Sequence, residues 1–421
     1  MAQAEKQFQA GKLGEAENLL RSALKLQPNN ADAVYALGLV AFRAGKIDAA
    51  IMLIAEAIEL NPSAVRFHTN ICAMYEMTGQ YQKAIEHGRI AVTLRPQSSE
   101  SHNNLGVAYL SQGEVSVAIE HFSKAIEADG RNADAFSNRS KAQLRLRRFA
   151  NAEKDARAAT TVAPNSASTH NALGAALLAR GDFAGAEQAV RRALAITPGN
   201  RDAMLNLALS LKGQKKLDDA LAIANQAAQM FPDRVEPISL AAAICLDRRA
   251  HEAAGRLVEQ ALALDPDNVD TLLVAGRLHT EELRNEKALE FFQRAVAAQP
   301  ANAEAHNLLG SALRQAGDFD GALKALERSL ALNPDNCGAF VDIGETKRFQ
   351  SDSDPHLLAM REREKSADTL SAEQQMMLHF ALGKACDDLN QADAAFAHFN
   401  KACSIKRSLI SYSEPDALEL F

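Results

Sequence analysis

Apolar residues recur at spacings of three and four along most of the chain, as in Ala50, Ile51, Ile54, Ala57 and Ile58. This spacing places them on one face of an α-helix, which has about 3.6 residues per turn. In several units a glycine interrupts the pattern at its midpoint, and a proline ends it. Both residues stop helices, so the pattern predicts pairs of short helices and an all-α chain.

The helix pairs recur with a period of 34 residues, in units that start at residues 31, 65, 99, 133, 167, 201, 235, 269 and 303. Nine of the twelve prolines then occupy position 32, and position 8 is always small. Position 20 is alanine in ten successive copies: Ala16, Ala50, Ala84, Ala118, Ala152, Ala186, Ala220, Ala254, Ala288 and Ala322. A fixed period of this length indicates stacked copies of one helical unit, which is a solenoid.

Small residues at positions 8 and 27, alanine at 20 and proline at 32 resemble the tetratricopeptide repeat pattern. The resemblance implies a right-handed superhelical solenoid of stacked helix-turn-helix repeats. In that family the first helix of each repeat lines the concave face, through positions 2, 5, 6, 9, 12 and 13.

Four segments are expected along the chain. Residues 1–350 form about ten repeats, with a partial first repeat and a closing half-repeat; 351–375 form an irregular linker with one charged helix, His356–Lys365. Residues 376–409 form a final repeat, because small residues return at positions 8, 20 and 27, and 410–421 form a tail.

The final repeat carries a second resemblance. The segment Leu378–Lys384, with the sequence Leu-His-Phe-Ala-Leu-Gly-Lys, resembles the junction in bacterial tetratricopeptide proteins that carry a sulfotransferase domain, over about 337–412. The resemblance implies a substrate-recruiting region, although the phosphate-gripping loop of that enzyme is not found in these residues. Apolar Leu418, Leu420 and Phe421 at the end of the tail fit the N-terminal part of a larger protein.

Composition narrows the expected partners and compartment. The net charge of −7 gives no reason to expect nucleic acid, and no apolar run approaches the roughly 18 residues of a membrane span. Five dispersed cysteines without a CxxC pair are typical of reduced thiols, so a cytoplasmic protein is expected. The sequence does not determine the oligomeric state.

No catalytic site, metal ligand set or cofactor is predicted, because no nucleophile–base pair, phosphate loop or paired Cys/His motif occurs. Histidine is frequent at position 4, where the family often has an aromatic residue. Equivalent positions in adjacent repeats lie about 10 Å apart, too far to share a metal ion. An ordinary helix-face or packing role is expected for His68, His102, His170, His306 and His379.

Asparagine is frequent at positions 5 and 6. A side-chain amide has one acceptor and two donors, so a row of amides can pair with the backbone of an extended peptide. A similar asparagine ladder lines the repeats of O-linked N-acetylglucosamine transferase. The alternative is a solvated polar face. The candidate residues are Asn70, Asn103, Asn104, Asn138, Asn171, Asn206 and Asn307.

Lys141 and Arg145 share one helical stripe with Asn138, in an otherwise acidic protein. This basic patch would favour an acidic segment, although a solvated charged face accounts for it equally well. The overall prediction is a non-enzymatic protein that binds protein or peptide partners, with sulfotransferase recruitment as the alternative.

Overall fold

The computed structural model describes residues 1–409, which form 24 α-helices and one 3₁₀-helix, with none of them in a strand. The expected tail, 410–421, lies outside the described residues. The contacts divide the chain into two compact units, Met1–Asn206 (unit 1) and Leu207 onward (unit 2). Within residues 1–409, no helix is both long enough and apolar enough to cross a lipid bilayer.

Unit 1 consists of helix pairs. Its first helices are α1 (Ala2–Gln9), α3 (Ala31–Arg43), α5 (Val65–Met77), α7 (Ser99–Gln112), α9 (Ala133–Arg145) and α11 (Ala167–Ala179). Its second helices are α2 (Leu13–Leu26), α4 (Ile47–Leu60), α6 (Tyr81–Leu94), α8 (Val115–Ala128), α10 (Phe149–Val162) and α12 (Phe183–Ile196). The boundary between the units falls inside α13 (Arg201–Gly213).

Unit 2 continues the helix pairs. They are formed by α14 (Leu217–Met230), α15 (Val235–Asp247), α16 (His251–Leu264), α17 (Val269–Glu281), α18 (Asn285–Ala298), α19 (Ala303–Gln315), α20 (Phe319–Leu332) and the single α21 (Cys337–Thr346). The charged helix α22 (Pro355–Glu364), a 3₁₀-helix (Ala367–Thr369), α23 (Ala372–Asp388) and α24 (Ala392–Leu409) follow. The Ser371 hydroxyl caps α23 by accepting from the Gln374 N–H.

Glycine at position 8 makes room for a large side chain at position 24 of the same repeat. A Cβ added to Gly106 would stand 2.7 Å from the Phe122 ring, and one added to Gly38 would stand 2.7 Å from Ile54. In three of the four repeats from 31 to 336 whose position 8 is not glycine, position 24 is glycine or alanine, as in the pair Ser140 and Ala156. The two helices of a repeat therefore pack by complementary size, and the position-20 alanines beside them are fully or almost fully buried.

The turn between the two helices of a repeat contains a residue with positive φ at position 15. Glycine, as at Gly45 and Gly113, adopts this left-handed conformation at little cost. The other repeats use larger residues in the same conformation: Arg147, Lys215, Arg249, Leu283 and Asn390, with φ between 57° and 63°.

The first helices of neighbouring repeats lie side by side. In unit 1, α5, α7, α9 and α11 contact one another in order, and in unit 2, α15, α17, α19 and α21 do the same. Each unit therefore presents a first-helix face, which we define as positions 2, 5, 6, 9, 12 and 13 of these helices. This is the surface on which the candidate residues were predicted.

Candidate functional site

Four of the six predicted asparagines of unit 1 are joined in two pairs across repeats. The Asn138 amide nitrogen donates to the Asn103 side-chain oxygen at 3.0 Å, and Asn206 donates to Asn171 at 2.8 Å. Each bond joins position 6 of one repeat to position 5 of the preceding repeat. All four residues are half-buried, so the amides form part of the first-helix face.

The row extends towards the N-terminus with other acceptors. Asn104 donates to the backbone carbonyl of Thr69 at 3.2 Å, and Asn70 donates to the Tyr35 hydroxyl. The row is interrupted where position 6 is Ala172. An amide nitrogen carries two hydrogens, so a single such bond fixes the orientation of the group and leaves a second donor.

Asn307 is not part of this row. It lies on α19 in unit 2, where its side-chain oxygen is buried and has no hydrogen-bond partner. The neighbouring first helix α17 has Leu273 and Val274 at positions 5 and 6. The structure therefore collects six of the seven predicted asparagines in unit 1 and leaves Asn307 apart.

The two predicted basic residues have different surroundings. A guanidinium nitrogen of Arg145 donates to the Leu110 carbonyl at 2.6 Å, near the C-terminus of α7. That contact satisfies a helix-end carbonyl and places positive charge where the helix dipole is negative. Lys141 is exposed on the first-helix face. Arg145 is exposed as well, so both side chains present positive charge at this point, and the guanidinium of Arg145 is oriented by its bond to Leu110.

The first-helix face of unit 2 carries ion pairs that were not predicted. Asp247 pairs with Lys212 at 3.2 Å and with Arg277 at 3.3 Å, while Arg314 pairs with Glu345 at 2.9 Å. Burial raises the pKa of the nearby Asp342 to about 6, with a further contribution from Glu345 and an opposing one from Arg314. The sequence signal that could have predicted these ion pairs is the presence of opposite charges about one repeat apart at positions of the first-helix face.

The position-4 histidines have a shared structural role. Nε2 lies 2.8–3.0 Å from the carbonyl oxygen of the proline six residues earlier, in His68, His102, His170 and His306. A carbonyl only accepts, so Nε2 carries the proton and Nδ1 keeps its lone pair. His379 differs, because the residue six positions earlier is Glu373 and not proline. The buried Nε2 of His379 has no hydrogen-bond partner.

Three position-4 histidines also face a second histidine in the same repeat, 19 residues later. The two Nδ1 atoms lie 3.0 Å apart in His68–His87 and His102–His121, and 3.2 Å apart in His379–His398. Each pair joins two different positions of one repeat, so a comparison of equivalent positions in different repeats does not reveal it. The sequence signal that could have predicted them is the spacing of 19 residues between two histidines, which occurs in all three pairs.

Three family models, each described as tetratricopeptide repeat, match the chain. The first matches residues 1–65, 41–99, 75–133, 137–201, 246–303 and 273–336. The second matches 177–244 and the third 378–409. Together they account for most of the chain, including the final repeat.

A solved structure shows the same fold at low sequence identity. A tetratricopeptide repeat protein from Parabacteroides merdae is 17% identical, with a TM-score of 0.50, covering 58% of this chain and 97% of that one. Yeast Tom70 is 16% identical, with a TM-score of 0.44, covering 92% and 93%. No curated protein sequence matches the chain significantly.

Proposed function

Because the chain belongs to the tetratricopeptide repeat family, we propose that it is a non-catalytic scaffold that binds extended protein segments on the first-helix face of unit 1. The observation that carries this proposal is the row of asparagines whose amides are oriented by bonds between repeats. An oriented amide loses less side-chain freedom when it binds a peptide, which favours binding.

The amide row would bind without selecting a sequence, because a peptide presents the same backbone donors and acceptors at every residue. Lys141 supplies the selective element. As an exposed ammonium on the same face and the same helix as Asn138, it would favour segments with a carboxylate near the bound backbone.

The test of the amide row is the double variant Asn138→Ala/Asn206→Ala, measured by fluorescence anisotropy against unrelated extended peptides. Each lost hydrogen bond contributes about 0.5–1.5 kcal/mol, so each substitution should weaken binding about 2- to 12-fold. The control is Asn151→Ala, which removes an exposed amide from the second helix α10. Unchanged affinity in the double variant would show that the row is only a solvated face.

The second arm of the experiment is Lys141→Glu. It should weaken binding of acidic peptides selectively, and the difference should shrink at 1 M salt, where the screening length is about 3 Å. Lys154→Glu, an exposed charge reversal on α10, is the control. Equal losses for acidic and neutral peptides would contradict selection by charge.

Recruitment of substrate for a sulfotransferase stays a prediction, and it is based on the resemblance of 337–412 alone. The cytoplasm is kept as the proposed compartment, because all five cysteines are unpaired and four of them are buried.

A further inference from the structure

Three side chains from three successive helices meet at the C-terminal end of the described chain. Glu364 is the last residue of α22, His379 lies on α23 and His398 on α24. Within residues 1–409, they form the one group of three potential ligands whose donor atoms all lie within 4.8 Å of one another. The His379 side chain is fully buried, whereas His398 and Glu364 are 20% and 34% exposed.

The separations match the edges of a metal coordination shell. The two Nδ1 atoms are 3.2 Å apart, and Oε1 of Glu364 lies 3.8 Å from Nδ1 of His379 and 3.7 Å from Nδ1 of His398. The circle through these three atoms has its centre about 2.1 Å from each atom, as follows from the three distances. Zinc binds imidazole nitrogen and carboxylate oxygen at about 2.0–2.2 Å.

Hydrogen bonding accounts for the other two histidine pairs, but it does not account for the carboxylate in this cluster. In His68–His87 and His102–His121, a proline carbonyl fixes the tautomer and the second imidazole completes the contact. The Nε2 of His379 has no such carbonyl, and a carboxylate lies near its Nδ1 in addition to the second imidazole. At 3.7–3.8 Å, that carboxylate is beyond the roughly 3.2 Å limit of an ordinary hydrogen bond.

We propose that Glu364, His379 and His398 bind one divalent first-row transition ion, with Zn²⁺ as the test ion. Two imidazole nitrogens and one carboxylate oxygen form a donor set suited to zinc, copper, iron or nickel. With three protein ligands, a fourth position remains for water on the side where His398 and Glu364 are exposed. Histidines at equivalent positions of adjacent repeats lie too far apart to share an ion, whereas this set lies within one repeat and the preceding helix.

The ion would join α22, which is outside the repeat pattern, to both helices of the final repeat. Local stability in a repeat protein depends on contacts between neighbours, so binding should protect these three helices and leave distant ones unchanged. This effect can be observed without any assay of function.

The experiment uses the full chain without a polyhistidine tag, in a Cys403→Ser background, since Cys403 is an exposed thiol. The protein is stripped with a chelator and titrated with Zn²⁺ by calorimetry at pH 7.5. One equivalent should bind, and hydrogen exchange should slow in 355–364 and 372–409. Glu364→Gln, at a partly exposed carboxylate, should weaken binding at least tenfold, and His398→Gln should weaken it further.

The matched control is His121→Gln, which breaks a histidine pair at the same repeat positions but without a carboxylate. It should leave the zinc affinity unchanged, and circular dichroism should confirm that every variant is folded. The proposal would be overturned by the absence of saturable binding of one ion, or by binding that survives both Glu364→Gln and His398→Gln.

Discussion

At the scale of the residue, the size of the side chain at position 8 is set by the residue it faces. Gly106 faces the Phe122 ring, which is fully buried. From the small residue at this position, the sequence predicted that the two helices approach closely, and the contact of Gly106 with Phe122 confirms it. The sequence did not show the partner, because the partner is 16 residues away on the second helix.

We expect Gly106→Ala to destabilise the protein by about 1–3 kcal/mol, because the added methyl group overlaps the ring and forces a shift. In a Phe122→Ala background, the same change should alter the free energy of unfolding very little, since the Phe122 ring is absent. A double-mutant cycle measured by chemical denaturation gives the coupling energy.

The control for this prediction is Gly255→Ala, where a new Cβ would meet nothing nearer than Leu278 at 3.8 Å. That substitution should stabilise α16 by about 0.5–1 kcal/mol, because glycine is unfavourable inside a helix. If the two substitutions change the free energy of unfolding alike, close packing against Phe122 is not the cause of the destabilisation by Gly106→Ala.

The turns show a limit of prediction from residue preference. Glycine at position 15 predicted turns such as those at Gly45 and Gly113, but Leu283 has the same positive φ and no local signal for it. The 34-residue period locates the turn at Leu283, although the residue preference of leucine does not. Preference failed because packing of the flanking helices fixes the backbone there.

At the scale of the element, the two helices of some repeats are joined by histidine pairs. His102 on α7 contacts His121 on α8, and Tyr109 stacks on His121 with a centroid distance of 5.5 Å. Burial lowers the pKa of His121 to about 4, with His102, Lys124 and Arg89 acting in the same direction.

This lowered pKa predicts a loss of stability in mild acid. Between about pH 6.5 and pH 4, the unfolded chain binds a proton that the folded His121 does not, so stability falls as the pH falls. One such group contributes at most about 1.4 kcal/mol per pH unit. His121→Gln should therefore reduce the difference in unfolding free energy between pH 7 and pH 5.

The comparison is His170→Gln, because residue 189 is alanine and no second imidazole stands at the paired position. The His170 variant should keep the pH dependence of the parent chain. Hydrogen exchange of α7 and α8 at the two pH values measures the local effect. An unaltered pH response in His121→Gln would exclude the pair as its source.

At the scale of the whole molecule, the 34-residue period predicted the order and the pairing of the helices. It did not predict the division between Asn206 and Leu207, because the pattern continues through Pro198 and Ala220 without a change. The amide row was predicted as a surface. Its bonds between repeats were not, because they join different positions of neighbouring repeats.

Because helices mainly contact their neighbours in each unit, we expect local damage to stay local. Ala118 is fully buried, so Ala118→Leu should overpack α8 and speed hydrogen exchange in α7, α8 and the adjacent repeats. Helices α15–α20 should be unaffected. Ala179→Leu, at an exposed site, is the control. Uniform loosening over residues 1–409 would contradict this architecture.

The size match between positions 8 and 24 has a consequence for how such a chain can be rearranged. Both partners, such as Gly106 and Phe122, lie in one repeat, so duplication or deletion of a whole repeat carries a compatible pair with it. A crossover between positions 8 and 24 separates the pair, and a chimaera could then place two large residues together. The bond from Asn138 to Asn103 crosses a repeat boundary, so the same exchange preserves packing while it changes which amides are adjacent.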